Sequence, residues 1–164
     1  MSFTNSTPPD SPHHLLASMA GGWTGNIQNW FDPKTPPIEA PIKGSIQLIL
    51  GGRFAIYMYE SRMDDEPQQG MFTFGYNTSL ERCEASWMDN IHNSTAIMFC
   101  TGELIPPNGF WVLGSYADPS GGPDWDWRTE LEVTDANHLT MRAYNISPDG
   151  SETLAIQTNL TRAA

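Results

Sequence analysis

Four side chains have the chemistry for acid–base work and a spacing that could bring them together: Asp89, His92, Glu60 and Tyr144. The stretch Cys83 to His92, Cys-Glu-Ala-Ser-Trp-Met-Asp-Asn-Ile-His, read with a period of two, puts Cys83, Ala85, Trp87 and Asp89 on one face. Glu84, Ser86 and Met88 fall on the other. An acid therefore ends an apolar face, one strand step from a tryptophan. Desolvation there would raise its pKa above ~3.9 unless a cation or donors compensate. An unpaired buried carboxylate is costly, so Asp89 should be paired, protonated or at a wet rim. The plainer alternative is a strand-end acid opening the turn Asp89-Asn90-Ile91-His92-Asn93, where Asp and Asn are favoured.

Glu60 shares alternate positions with Phe54, Ile56 and Met58, while Arg53, Tyr57 and Tyr59 share the other set. Two acids entering one cavity could divide general acid and base work. The alternative is a strand-end Glu in water with Arg62 and Asp64. His92, three residues after Asp89, is the histidine best placed for proton transfer, although Asp-x-x-His is too common to be a motif. Tyr144 is a second candidate proton donor. His13 and His14 begin a helix and His138 follows a turn, which reads as surface.

The chain has six Trp, five Tyr, seven Phe and eight Met, more than a core of this size needs. Trp buries a large area and wants a partner for its N–H, which suits the wall of a ligand cavity; Met makes such a wall adaptable. The candidate wall is Trp23, Phe54, Met58, Trp87, Phe99, Trp125 and Trp127. Arg53 and Arg128 lie opposite their apolar neighbours, either in solvent or closing a rim and clamping an acidic group. Ordinary packing accounts for many of these residues equally well.

Absent motifs narrow the chemistry. No three His, Cys or acidic residues show metal-ligand spacing and there is no H-E-x-x-H, so no metal or other cofactor is expected. Without a G-x-S-x-G elbow, a G-x-G-x-x-G turn, a P-loop or a C-G-[SA]-C signature, nucleotide and common acyl-enzyme chemistry are disfavoured.

The elements that must position these residues follow from periodicity. Residues 1–10 are small and polar and read as a disordered tail, and residues 11–164 as one domain. Ser11 can cap a short helix, Pro12 suits its first position and Gly21-Gly22 can end it. Its apolar side, Leu15, Leu16 and Met19, must dock on something larger because about two turns do not stand alone. From Trp23 onward the period is two. Strands are expected at 23–31, 42–50, 53–63, 71–76, the Cys83 stretch, 94–103, 110–116, 125–134, 138–146 and 153–161. The turns between them are marked by Gly51-Gly52, Asn77-Thr78-Ser79, Pro106-Pro107-Asn108-Gly109 and Pro148-Asp149-Gly150. The expected fold class is all-β: a single up-and-down antiparallel barrel of about ten strands with a short N-terminal helix, favoured over an open jelly-roll sandwich because the connections are short. Such a barrel closes its edges and can hold one small ligand.

The segments Leu16-Ala17-Ser18-Met19-Ala20-Gly21-Gly22-Trp23, Leu50-Gly51-Gly52-Arg53-Phe54, Gly75-Tyr76-Asn77, Ser86-Trp87-Met88-Asp89 and Ser147-Pro148-Asp149-Gly150 resemble, in order, the blocks of a bacterial family. It is domain-of-unknown-function family 1579, of calycin-like barrels, and the resemblance runs from about residue 14 to 162. It implies a lipocalin-like barrel with an internal cavity, and no particular reaction.

A net charge of −11, with no cluster of Lys or Arg, argues against nucleic acid or an anionic membrane as partner. The N-terminus lacks a secretory pattern, no apolar run approaches a bilayer span, and Cys83 and Cys100 read most simply as reduced thiols, so a cytoplasmic setting is expected. The leading expectation is an intracellular barrel binding a small hydrophobic or aromatic molecule. The alternative is a cofactor-independent isomerase, lyase or hydrolase using the Asp89, Glu60, His92 and Tyr144 set. Assembly as a homodimer is the simplest oligomer.

Overall fold

The structure is a computed structural model, which describes residues 3–164. It is all-β apart from one short helix, α1 (Pro12–Ser18). Ten strands follow: β1 (Gly21–Asn29), β2 (Ile38–Ile49), β3 (Phe54–Met63), β4 (Glu66–Asn77), β5 (Arg82–Asp89), β6 (Met98–Ile105), β7 (Gly109–Tyr116), β8 (Trp125–Asp135), β9 (His138–Ile146) and β10 (Glu152–Arg162). Each pairs antiparallel with its neighbour in sequence, and β1 pairs with β10 to close the barrel. The closing register runs from Trp23 opposite Arg162 to Asn29 opposite Ile156. No sheet edge is left open, which is how a meander avoids edge-to-edge pairing. Among the described residues no helix is long and apolar enough to cross a membrane.

The expected strands are all present, but β2, β4 and β6 differ at the end where the site lies. β2 starts at Ile38 and β4 at Glu66, earlier than apolar alternation indicated, and β6 starts only at Met98. The polar run Glu66–Gly70 is strand because it pairs with β3, Met63 opposite Glu66 and Tyr59 opposite Gly70. Pairing overrides composition there.

The helix closes one end of the barrel. Leu16 and Met19 are buried in the core, and the Trp23 indole N–H donates to the Met19 carbonyl at 2.9 Å. Arg162 holds this end from the far terminus: its guanidinium lies 4.4 Å from the Trp23 ring centroid and donates to the Ser18 and Ala20 carbonyls. Ser11 occupies the N-cap position without a side-chain cap bond. Of the stretch expected to be a disordered tail, Met1 and Ser2 lie outside the described residues. Phe3–Ser6 form a 3-10 turn, and the Phe3 ring meets His13 edge-on at 4.8 Å.

The interior is filled rather than hollow. Phe74, Phe72, Trp87 and Trp127 form a file of rings with successive centroids 5.2, 5.4 and 5.3 Å apart, within the range where aromatic pairs attract. Tyr57 and Tyr59 lie beside this file, 5.3 Å from one another. What remains deep inside is a void of about 30 Å³, room for little more than a water. The Tyr57 hydroxyl, Gln68 Oε1 and Trp127 Nε1 line it without a protein partner. A cavity large enough for an organic molecule, about 650 Å³, sits at the end opposite the helix and not in the middle.

Candidate functional site

The mouth of the barrel is formed by the loops 30–37, 90–97, 117–124 and 147–151 and the short turn 64–65, which join strand ends on the side away from α1. Asp89 is the last residue of β5, its side chain fully buried. Its two oxygens take five donors. Oδ2 accepts the Tyr59 hydroxyl at 2.5 Å and the Gln68 amide at 3.0 Å. Oδ1 accepts the backbone N–H groups of Ile91 and His92, both at 2.8 Å, and the His92 ring at 3.2 Å. Asp89 thus both opens the turn, as its strand-end position suggested, and anchors side chains from β3 and β4. Desolvation pushes its carboxyl up, but the His92 and Tyr59 donors outweigh it and hold the pKa down at about 2. Asp89 is a carboxylate with its lone pairs occupied. It suits a fixed negative charge and not a proton acceptor for a substrate.

Tyr59 is a node as well as a donor. Its oxygen accepts the Trp87 indole N–H at 3.0 Å. Burial, together with the Asp89 charge, keeps its pKa well above the usual phenol range, so the hydroxyl stays protonated. Two glycines make room for these rings. A Cβ on Gly44 would meet the Tyr57 ring and the Met58 carbonyl at 2.6 Å, and one on Gly70 would fall on the Tyr59 ring.

His92 is the part of this network that reaches the cavity. Nδ1 lies 3.2 Å from Asp89 Oδ1 and 3.5 Å from the Gln68 amide nitrogen. The shorter contact is to a carboxylate, which only accepts, and so places a proton on Nδ1. Nε2 has no protein partner among the described residues. The ring is stacked on Phe31 at 6.1 Å with an interplanar angle of 6°, and lies 5.7 Å from Trp87 and 6.1 Å from Trp127. These rings, with Trp30 and Tyr116, wall a cavity of about 650 Å³. Its polar lining includes Asn93, whose amide donates to the Trp87 carbonyl at 2.9 Å, and Asn145, which accepts the Tyr116 hydroxyl at 2.5 Å.

The other sequence-derived candidates lie elsewhere. The alternate positions of β3 run the opposite way from expectation: Ala55, Tyr57 and Tyr59 face in, while Phe54, Met58 and Glu60 are exposed. Both sets are apolar enough to be the inner face, so alternation could not decide between them. Glu60 pairs with Lys43 at 3.2 Å on the outer surface; it and Asp89 both border the furrow outside the barrel, but the Asp89 carboxylate is buried away from it. Tyr144 is on the outer face of β9, with the Arg128 guanidinium 4.6 Å from its ring centroid. Arg128 itself pairs with Glu152 at 3.0 Å and Glu130 at 3.3 Å and does not line the mouth cavity. Arg53 lies over Phe3 and Trp23 is buried, both at the helix end. Phe99 is 76% exposed. Trp125 is half-buried at the start of β8 and does not line the cavity. Of the proposed wall, Trp87 and Trp127 alone line the cavity and lie beside His92.

Sequence reasoning did not single out Tyr59, Gln68, Trp30, Phe31, Tyr116 or Asn145. Gln68 was hidden in a polar stretch read as loop. The signal that could have found Tyr59 was Gly70, a residue with no side chain opposite a ring in the pairing register.

A larger concavity, about 790 Å³, runs along the outside of β2–β5 past Met58, Met71 and Met88. Its charged pair, Lys43 and Glu60, is exposed and mutually satisfied. The mouth cavity is the stronger candidate because a buried charge orients an imidazole into it among aromatic rings. Among the described residues no three His, Cys, Asp or Glu side chains gather as a metal site. Cys83 and Cys100 are buried free thiols, and burial pushes both pKa values up to about 11.

A family model described as a protein of unknown function (DUF1579) matches residues 8–162. Among solved structures, the crystal structure of Rv2717c from M. tuberculosis is similar, with a TM-score of 0.63 at 14% identity, covering 94% of this chain and 99% of that one. At that identity the likeness is one of fold. No curated protein matches the chain.

Proposed function

We propose for this chain, which belongs to the DUF1579 family, a binding role: it holds one small hydrophobic or aromatic molecule in the mouth of its barrel. One observation carries this reading. The buried Asp89 carboxylate fixes His92 between Phe31, Trp87 and Trp127 on the wall of a cavity of about 650 Å³. Small-molecule sites are typically ~300–1,000 Å³, mostly apolar, with a few fixed polar groups. This cavity has that make-up, with aromatic faces for contact area and one imidazole to orient the ligand. The reading agrees with the internal cavity that the resemblance to calycin-like barrels implies. The buried, unpaired thiols suit work in a reducing cytoplasm.

Intrinsic fluorescence tests it, because Trp30, Trp87 and Trp127 line the cavity. Titration with a panel of small aromatic and aliphatic compounds should quench or shift the emission saturably. A flat response across the panel would remove the proposal.

The same geometry favours one second reading. An imidazole with Nδ1 held by a carboxylate and Nε2 open to a pocket is the arrangement of a general base. In a cofactor-independent isomerase, lyase or hydrolase, His92 would take the proton and Asp89 would act as positioning residue. Under this reading His92→Gln abolishes turnover of a bound compound, whereas a pure binder turns over nothing.

A further inference from the structure

We infer that the occupant of the mouth cavity is an amine, a protonated or N–H-donating nitrogen carried on an aromatic frame. The inference rests on the binding role proposed above and names the chemistry of its ligand. Three independent features lead to it.

The first is the hydrogen-bond polarity of His92. Asp89 Oδ1 accepts from the ring at Nδ1, so in the neutral imidazole Nε2 carries a lone pair and no proton. The cavity's histidine therefore offers an acceptor and asks for a donor.

The second is the wall. Phe31, Trp87 and Trp127 surround His92 at ring-contact distances, and Trp30 and Tyr116 extend the lining. Trp87 is stacked between Phe72 and Trp127, so a ligand meets chiefly the exposed Phe31 and the half-buried Trp30 and Tyr116. Aromatic faces carry negative quadrupole potential and attract cations. Such a wall favours an ammonium over a neutral group of the same size and disfavours a carboxylate.

The third is the placement of charge. None of the chain's eight Lys and Arg residues lines the cavity. The five connections at the mouth carry Asp32, Asp64, Asp65, Asp118, Asp124 and Asp149, against Lys34 as their one Lys or Arg. Asp118 stands between Ala117 and Pro119, which both line the cavity, and it accepts the Ser120 backbone N–H and hydroxyl at 2.8 Å. An anionic ligand would have to pass these carboxylates and then settle near the buried Asp89 charge, with no guanidinium or ammonium to meet it. A cation is drawn along the same path.

Calorimetric titration with three probes of similar size at mildly alkaline pH tests this: phenethylamine, 2-phenylethanol and 3-phenylpropionate. The expected order is amine tightest, alcohol next and acid weakest, with the amine favoured over the acid by about tenfold or more. An acid that binds as tightly as the amine overturns the inference and leaves the binding role standing. So does binding confined to uncharged apolar compounds such as naphthalene. If no probe, charged or neutral, gives heat or changes tryptophan emission, the binding role itself fails.

Discussion

Asp89 Oδ1 accepts both the backbone N–H of His92 at 2.8 Å and its ring Nδ1 at 3.2 Å. One oxygen thus fixes where the histidine sits, which way its ring faces and which nitrogen carries the proton. The barrel buries a carboxylate in order to aim an imidazole, and the donors that make this tolerable come from three different strands or turns. Removing a donor should therefore register both in stability and in the mouth.

Tyr59→Phe takes away the shortest of these bonds and also the acceptor of the Trp87 indole N–H. The buried Trp87 indole N–H is left unpaired and Asp89 Oδ2 keeps only the Gln68 amide, so the variant should lose about 2–3 kcal/mol in urea unfolding. A loss below ~0.5 kcal/mol, the size of a typical surface substitution, would show that the Asp89 network does not hold the barrel mouth.

The acid limb of the stability profile should carry the Asp89 signature. Its folded pKa is depressed, from an ordinary carboxylate value of 3.8 to about 2. The stabilisation is therefore fully present above the unfolded value and is lost as pH falls through the folded one. A shift of this size corresponds to about 2 kcal/mol, lost between roughly pH 4 and 2. Asp89→Asn should be less stable at neutral pH and should flatten the profile in that window. An unchanged slope in the variant would contradict the assignment.

Much of this molecule could be read from alternation alone, and the exceptions have physical causes. Trp125–Thr134 and the Cys83 stretch alternate cleanly because one side of each is buried, so β8 and β5 and the inward placement of Trp87, Trp127 and Asp89 were legible. β3 was not, because Phe54, Ile56 and Met58 compete with Ala55, Tyr57 and Tyr59, and the choice is made by Gly44 and Gly70 on neighbouring strands. No local pattern shows that. Phe31 stacks on His92 across the mouth, from residues far apart in sequence, and only closure of β1 onto β10 and β2 brings them together. The position of the cavity was hidden for a similar reason, since how far a file of rings fills a barrel depends on all ten strands.

Glu60 provides a control for the outward assignment of its face. Its ion pair with Lys43 is exposed on both sides, and such pairs contribute little. Glu60→Gln should leave stability within about 0.5 kcal/mol of the parent and leave ligand binding untouched. A loss of binding would return Glu60 to the site.

Gly70→Ala tests how the inner face is selected. The added methyl would fall on the Tyr59 ring, which cannot move without breaking its bond to Asp89. Overpacking of this kind should cost about 1–3 kcal/mol and perturb the His92 ring signals in an NMR spectrum. An alanine accommodated with unchanged His92 shifts would mean that the glycine is not what admits Tyr59.

The central claim is that a small molecule occupies the mouth and not the outer furrow or the helix end. The six indole N–H signals of the ¹⁵N-labelled protein report on it directly, since tryptophans stand in each region. On titration with phenethylamine, the signals of Trp30, Trp87 and Trp127 should move together and saturate. Trp23, bonded to the Met19 carbonyl at the closed end, and Trp111, outside the cavity lining, should stay in place. Shifts confined to Trp23 or Trp111, with the three mouth tryptophans unmoved, would contradict it.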